Sequence, residues 1–507
     1  MNHLSSPPGN LTAESCASDL PNYETWTREE LIARLKELTG PSIPQTCITT
    51  SAPTSSPGPP TRPTTPKSEP QPDKPKHATK AQKKSKSKRE FNFSAYPTRK
   101  IALKFSYAGA GYGGLAWQPS EGPLPTVEGV LFAALTKARL VDPDAGLEGC
   151  GWERCGRTDR GVSAAGQVVS LYVRSSNRPS SSSVKTSDVP EEEGACDASG
   201  SASGGLEALD AVASAKGGHG ALRYLHTLNG ILPPSIRVYA WAPVGPAFSA
   251  RFSCRARHYK YFFSGRNLDV DAMRAGAARL VGEHDFRNLC KLDPARQLTS
   301  FRRRILRADV SPLSHDANGM HVFDLVGTAF LYNQVRHIMA VLLLIGARFE
   351  SASVVSALLN ADPSAPCVHP EDEEPPPLVT CKPEYQMADA LPLVLWDCVY
   401  EEQDVGWRTD DAGSEGGSVG LHTQLTGLAE RAQVEATLAE QILAAASQFH
   451  AAAPVARGVG PWEVPLGGGR VRREGRYVGL LLRKRLSSVE DANGRYRGRR
   501  GHGGPSR

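Results

Sequence analysis

Cys155-Gly156-Arg157-Thr158-Asp159-Arg160-Gly161-Val162-Ser163-Ala164 is the stretch on which the reading of this chain turns. After it, within Gln167–Arg174, Val169, Leu171 and Val173 alternate with Val168, Ser170 and Tyr172, a period-two pattern that predicts a strand. Before it, Glu148–Cys155 carries the same pattern more weakly, so the segment reads as strand, tight loop, strand. Gly156 and Gly161 bracket the loop and open backbone conformations that a Cβ forbids. Arg157 and Asp159 stand two residues apart, and a guanidinium near a carboxylate lowers its pKa and keeps it ionised. The plain alternative is a loop whose Asp and Thr bond their own backbone, the common use of these residues. The rest of the chain decides between the two.

The chain has 507 residues and 40% hydrophobic content, enough for a large core but not along its whole length. Pro, Ser, Gly and charge are concentrated in a few segments, which predicts two folded halves with disordered tails. The formal net charge of +6 is mild, and its placement matters more: basic residues gather at both ends and around a few core segments. Ten cysteines include no CxxC pair, and no His/Cys cluster completes a tetrahedral zinc site. Met1–Asn22 is polar and unlike a signal peptide, which points to an intracellular protein with reduced thiols. The longest apolar run, Met339–Gly346, is too short to span a bilayer.

Outward from the loop, residues 1–95 read as a disordered extension holding a short helix, Thr25–Leu38, capped by Thr27. Lys74–Arg89 is a basic run that suits a nuclear import signal, a polyanion-binding arm or a solvated tail. Residues 96–240 form the first half. A strand, Ile101–Tyr107, runs into the glycine-rich 108–114, which lacks the Gly-Lys-Ser/Thr of a phosphate loop. A helix, Val127–Leu140, follows, and residues 175–219 read as a disordered insertion. Leu222–Leu228 is a helix and Ile236–Trp241 a strand. Residues 241–400 form the second half. It opens on Phe248–Phe263, aromatic and basic residues interleaved at strand spacing. A helix near Asp271–Val281, a polar loop Gly282–Gln297 and strands near Arg304–Val310 and His321–Val326 come next. Gln334–Arg348 is the strongest helix, apolar enough to be buried, and Pro392–Tyr400 closes the half as a strand. Residues 401–507 are a C-terminal extension with an Ala-rich helix, Leu425–Phe449, and a basic tail from Arg470 that suits either non-specific contact with nucleic acid or a solvated, idle tail.

Taken in order, Gly156-Arg157-Thr158-Asp159-Arg160-Gly161-Val162, the block Phe248–Tyr261 and Val335-Arg336-His337-Ile338 resemble the motifs of the TruA-type tRNA pseudouridine synthases. Leu393 falls on the closing motif, beside the uracil in that family. The resemblance covers roughly residues 98–400. Gly282–Lys291, Phe330–Arg336 and Leu391–Cys398 are similar to the eukaryotic branch that modifies uridines 38 and 39 of the anticodon stem-loop, although Asn333 stands where a His is more usual. The resemblance implies an α+β fold. Two similar α/β halves would share a continuous, mostly antiparallel sheet around a central RNA-binding cleft. A homodimer and a tRNA partner are implied too.

The same resemblance makes Asp159 the catalytic carboxylate that acts at the sugar while the C1′–N1 bond breaks and C5 bonds to C1′. Arg336 is then the cation opposing its neutralisation on burial. Tyr259 would stack on the uracil and help remove the C5 proton, and Arg157 would bind phosphate or fill the space of a flipped base. Arg251, Arg255, Arg257 and Lys260 are candidate phosphate contacts. The chemistry needs no metal or redox cofactor. Two other readings stay open: a sibling synthase acting on another tRNA or structured-RNA uridine, and a non-catalytic RNA-binding or chaperone protein. The basic run and the lack of export signals place the chain in nucleus and cytoplasm.

Overall fold

The structure, a computed structural model, describes residues 91–119, 122–175, 222–313, 319–367, 374–409, 418–450 and 462–501. Ser87–Arg507 forms one compact unit that contains all of them. The predicted Thr25–Leu38 helix, the Lys74–Arg89 run and the 175–219 insertion beyond Ser175 lie outside the described residues.

In chain order the main elements are β1 (Thr98–Tyr107), α1 (Val127–Lys137), β2 (Glu153–Arg154), β3 (Ser163–Arg174), α2 (Tyr224–Asn229), β4 (Ile236–Pro243), β5 (Ala256–Ser264) and α3 (Val270–Ala278). They continue with β6 (Gly282–Asp285), β7 (Arg302–Pro312), β8 (Met320–Gly327), α4 (Gln334–Gly346), α5 (Ser353–Leu359), β9 (Leu393–Val399), α6 (Ser418–Ser447), β10 (Trp462–Gly467), β11 (Arg470–Glu474) and α7 (Val489–Gly501).

Nine strands make one mixed sheet in the order β4-β1-β3-β9-β5-β8-β7-β6, with β2 paired to β3. Every pairing is antiparallel except β3 with β9, where Ser163 lies opposite Val394 and Ala164 opposite Leu395. That single parallel junction joins the strands of the two halves. The catalytic-loop candidate enters β3 there. β5 shows why its sequence makes a strand: Tyr259, Tyr261 and Phe263 are buried on one face, while Lys260 and Phe262 are half-buried on the other. β3 is buried on both faces over Gly166–Leu171, as its central place in the sheet requires. α4 is buried all round apart from Arg336, and Gly276 of α3 lets Ile345 and Leu342 approach.

Several expectations change. Glu148–Cys155 supplies just two strand residues, because a helical turn at Gly146–Gly149 and Gly151, at φ +62°, break the extended path. Phe248–Arg255 forms turns, and the strand begins at Ala256. The loop predicted at Gly282–Gln297 contains β6, and α5 answers to no predicted helix. Residues 462–486 are not a tail. The β10–β11 hairpin turns through Gly467, Gly468 and Gly469, all at positive φ, and Gly467 lies so close to the Tyr261 hydroxyl that a Cβ would collide with it. The backbone N–H of Asp389 donates to the Leu466 carbonyl at 2.7 Å, Tyr477 stacks on Phe349, and Leu480 is fully buried. This return of the chain completes the core of the second half.

Candidate active site

The Asp159 loop is tied down on all sides. The Gln167 side chain accepts from the Gly156 N–H and donates to the Gly156 carbonyl, closing the loop's neck. Tyr107 and Thr158 share a buried hydroxyl–hydroxyl bond of 2.6 Å, and the Leu115 N–H donates to the Thr158 carbonyl. The glycine-rich stretch after β1 braces this loop. Gly109 donates to the Ser163 hydroxyl at 2.9 Å and lies against the Val162 carbonyl, where a Cβ has no room. Gly114, at φ +115°, passes along the backbone of Thr158–Arg160. Buried Glu128 fixes the next turn by accepting from the Trp117 N–H, the Trp152 indole and Arg154.

Asp159 projects from this scaffold toward the N-terminal end of α4. Its Oδ2 accepts a hydrogen bond from the Asn333 side chain and lies 4.0 Å from Nη1 of Arg336. Asn333 is the N-cap of α4 and adopts φ +56°, a left-handed conformation that Asn tolerates better than most residues. The helix N-terminus adds a positive end to the same spot. Arg336 is steadied by donating Nε–H to the Ala388 carbonyl at 2.8 Å. The Asp159 side chain remains 29% exposed and that of Arg336 13%, so the pair sits in a recess that a substrate can still reach. Burial raises the pKa of Asp159 above the ordinary carboxylate value, while Arg336, Asn333 and Lys291 pull the other way without reversing it. The expected Arg–Asp pairing is present. The cation moderates the effect of burial and does not overcome it.

Tyr259 lies two strands away. In one row across the sheet stand Tyr259 of β5, Leu395 of β9, Ala164 of β3 and Tyr107 of β1, so both tyrosines share the face beneath the loop. The Tyr259 ring meets Phe330 edge-on at 5.0 Å between centroids, and burial keeps its hydroxyl protonated well above the ordinary phenol range. Leu393 opens β9 opposite Tyr261 and is buried. Arg157 and Arg251 are exposed, Arg251 lying over the exposed Phe252 ring.

The other basic candidates each make contacts within the protein. Arg257 donates to the carbonyls of Thr328, Cys155 and Arg251, which makes it a clamp between the loop and β5. Arg255 pairs with Glu401, and Lys260 sits between Asp324 and the Trp396 ring. Two residues at the carboxylate were not singled out from sequence: Asn333, noted there only as a departure from the motif, and Lys291, quoted only within a longer stretch. The position of Asn333, just ahead of Val335-Arg336, was the available signal. Among the described residues no group of His, Cys, Asp and Glu is arranged to hold a metal ion, and no helix is long and apolar enough to cross a membrane.

A family model described as tRNA pseudouridine synthase matches residues 277–401. The tRNA pseudouridine(38/39) synthase of Saccharomyces cerevisiae is 33% identical over 483 residues, covering 94% of this chain and 91% of the yeast protein. The protein of the same name in Homo sapiens is 41% identical over 338 residues, covering 65% of this chain and 61% of the human one, less than two thirds of its length. The tRNA pseudouridine synthase A of Methanothrix thermoacetophila is 34% identical over 273 residues, 53% of this chain and 76% of the relative. With near end-to-end similarity to the yeast enzyme added to the sheet and the loop, the chain belongs to the TruA-type tRNA pseudouridine synthases.

Proposed function

We propose that this enzyme isomerises uridine to pseudouridine at positions 38 and 39 of the tRNA anticodon stem-loop, with Asp159 as the catalytic carboxylate. The observation that carries the proposal is the recessed Asp159, bonded to Asn333 and facing Arg336 on a loop fixed by buried hydrogen bonds. The reaction is atom-balanced without an oxidant: the C1′–N1 bond breaks, the uracil turns, C5 bonds to C1′, and the C5 proton is lost as N1 regains one. Asp159 acts at the sugar, and Arg336 with Asn333 favours its ionised form against burial.

Tyr259 and Leu393 flank the uracil. A neutral Tyr259 hydroxyl accepts the C5 proton only as it passes its own on, so stacking is its main contribution. Arg157 and Arg251 face the RNA, and Arg157 fills the space of the flipped nucleotide. The choice of positions rests on the yeast and human relatives that bear those numbers in their names. Residence in nucleus and cytoplasm and assembly as a homodimer belong to the same proposal.

Pseudouridine mapping of total tRNA from cells lacking the protein tests it. Loss at 38 and 39 is expected. Loss at another position instead identifies a sibling specificity, and no loss anywhere overturns the catalytic reading.

A further inference from the structure

A second set of cations runs outward from the catalytic carboxylate. Lys291 contributes positive charge at Asp159, and its Nζ lies 5.3 Å from the centre of the Tyr332 ring. The same ring has the Arg296 guanidinium 5.7 Å from its centre, and Tyr332 directly precedes Asn333, the donor to Asp159. The segment after Lys291, Leu292–Phe301, then carries α7. Val489, Ala492 and Asn493 of that helix line a small groove with Leu292, Pro294, Leu298 and Phe301, and the Gln297 amide donates to the Asn493 carbonyl at 3.4 Å.

α7 is a helix that its own sequence barely supports. Gly494 and Gly498, inside the helix, each cost about 1 kcal/mol relative to Ala. What favours it is Ser488 capping the Asp491 N–H, with Glu490 and Asp491 in the first turn, and the docking of its first two turns. Arg495 and Arg497 project on the two sides of the docked stripe. Both are exposed, and among the described residues no carboxylate pairs with either. With Glu490 and Asp491 confined to the first turn, the exposed later part of the helix is cationic, and a polyanion laid along it would relieve the repulsion between its arginines.

We propose that Lys291, Arg495 and Arg497 form a phosphate-binding surface for the RNA backbone leading away from Asp159, with the C-terminal helix α7 as its outer wall, while Arg296, paired with Asp293 at 3.1 Å, braces the Tyr332 ring behind it. This rests on the reading of the chain as a tRNA-modifying enzyme. Cations spaced along a surface contact phosphates rather than base edges, and the Tyr332 ring is already flanked by Lys291 and Arg296, so the surface sets affinity and register but not the identity of the bases.

The test uses full-length protein and an unmodified tRNA transcript. Affinity is measured with the Asp159→Asn protein at several salt concentrations, and turnover with the otherwise native enzyme. Arg495→Glu/Arg497→Glu is expected to raise KM at least about 5-fold with kcat retained. It should also flatten the slope of log affinity against log salt by roughly 0.7–0.9 for each phosphate that is no longer neutralised. Arg495→Gln/Arg497→Gln, which removes charge without reversing it, should give the same slope change with a smaller KM effect. Unchanged KM and slope in both variants would overturn the proposal, as would a fall in kcat with KM unmoved. If the native protein makes no pseudouridine at all, the functional reading fails, while the salt slope of binding still decides this one.

Discussion

At the scale of single residues, Asp159 is held between opposed influences. Burial disfavours its charge, and Arg336, the Asn333 amide and Lys291 favour it; burial prevails, so its pKa is raised. The ionised form is therefore lost, as pH falls, at a pH above the ordinary Asp value of about 3.9. The profile of kcat/KM against pH should show an acidic limb in that region. Asn333→Ala removes a donor to the charged form and should move the limb further up; a limb that stays in place contradicts the assignment. The same shift has a stability sign. A carboxyl whose folded pKa is raised binds its proton more tightly when folded, so its contribution to stability is lost as pH rises between the unfolded and folded values. Asp159→Asn should then leave the melting temperature at neutral pH unlowered. Asp159 and Arg336 were legible from their motifs. Asn333 and Lys291 were not, because what brings them to the carboxylate is the left-handed turn at Asn333 and the course of a loop.

At the scale of elements, the support for the loop is as informative as the loop. Gly109→Ala places a methyl against the Val162 carbonyl and should cost about 1–3 kcal/mol while displacing Asp159. Denaturant unfolding together with turnover checks it: unchanged stability and activity would show that the glycine-rich stretch does not brace the loop. Arg257→Ala deletes three bonds to carbonyls from one guanidinium and should destabilise by about 3 kcal/mol, given roughly 1.5–3 kcal/mol for a bond to a charged group and partial replacement by water. An effect on RNA affinity with none on stability would return Arg257 to the phosphate contacts. β1, β5 and α4 were readable because each buries a face, or its whole circumference, in a pattern with one period. Glu148–Cys155 and Phe248–Arg255 were misread because apolar residues in turns next to the core alternate by chance, and glycine breaks the path unseen by the pattern.

At the scale of the whole molecule, the sheet passes from one half to the other through one parallel strand pair, and the last part of the chain returns to seal the second half. Ending the chain at residue 461 removes the hairpin against Tyr261, the Tyr477–Phe349 stack and buried Leu480, and should lower the melting temperature by roughly 10 °C or more, since a loss of several kcal/mol shifts a domain this large by about 2–4 °C per kcal/mol. A truncated protein that melts like the full chain would make residues 462–501 an appendage after all. This return was hidden in the sequence by its basic, glycine-rich composition, which matches that of a tail; its few apolar residues acquire meaning from the surface they cover. All of this architecture converges on one carboxylate. The most direct measurement is tritium release from C5-labelled uridine in an anticodon stem-loop transcript, comparing native and Asp159→Asn enzymes. The account predicts that the variant binds within about 3-fold of native affinity and releases no tritium, a loss beyond the ~10²–10⁴ that a proton-transfer group contributes. Release at a rate near that of the native enzyme would contradict it.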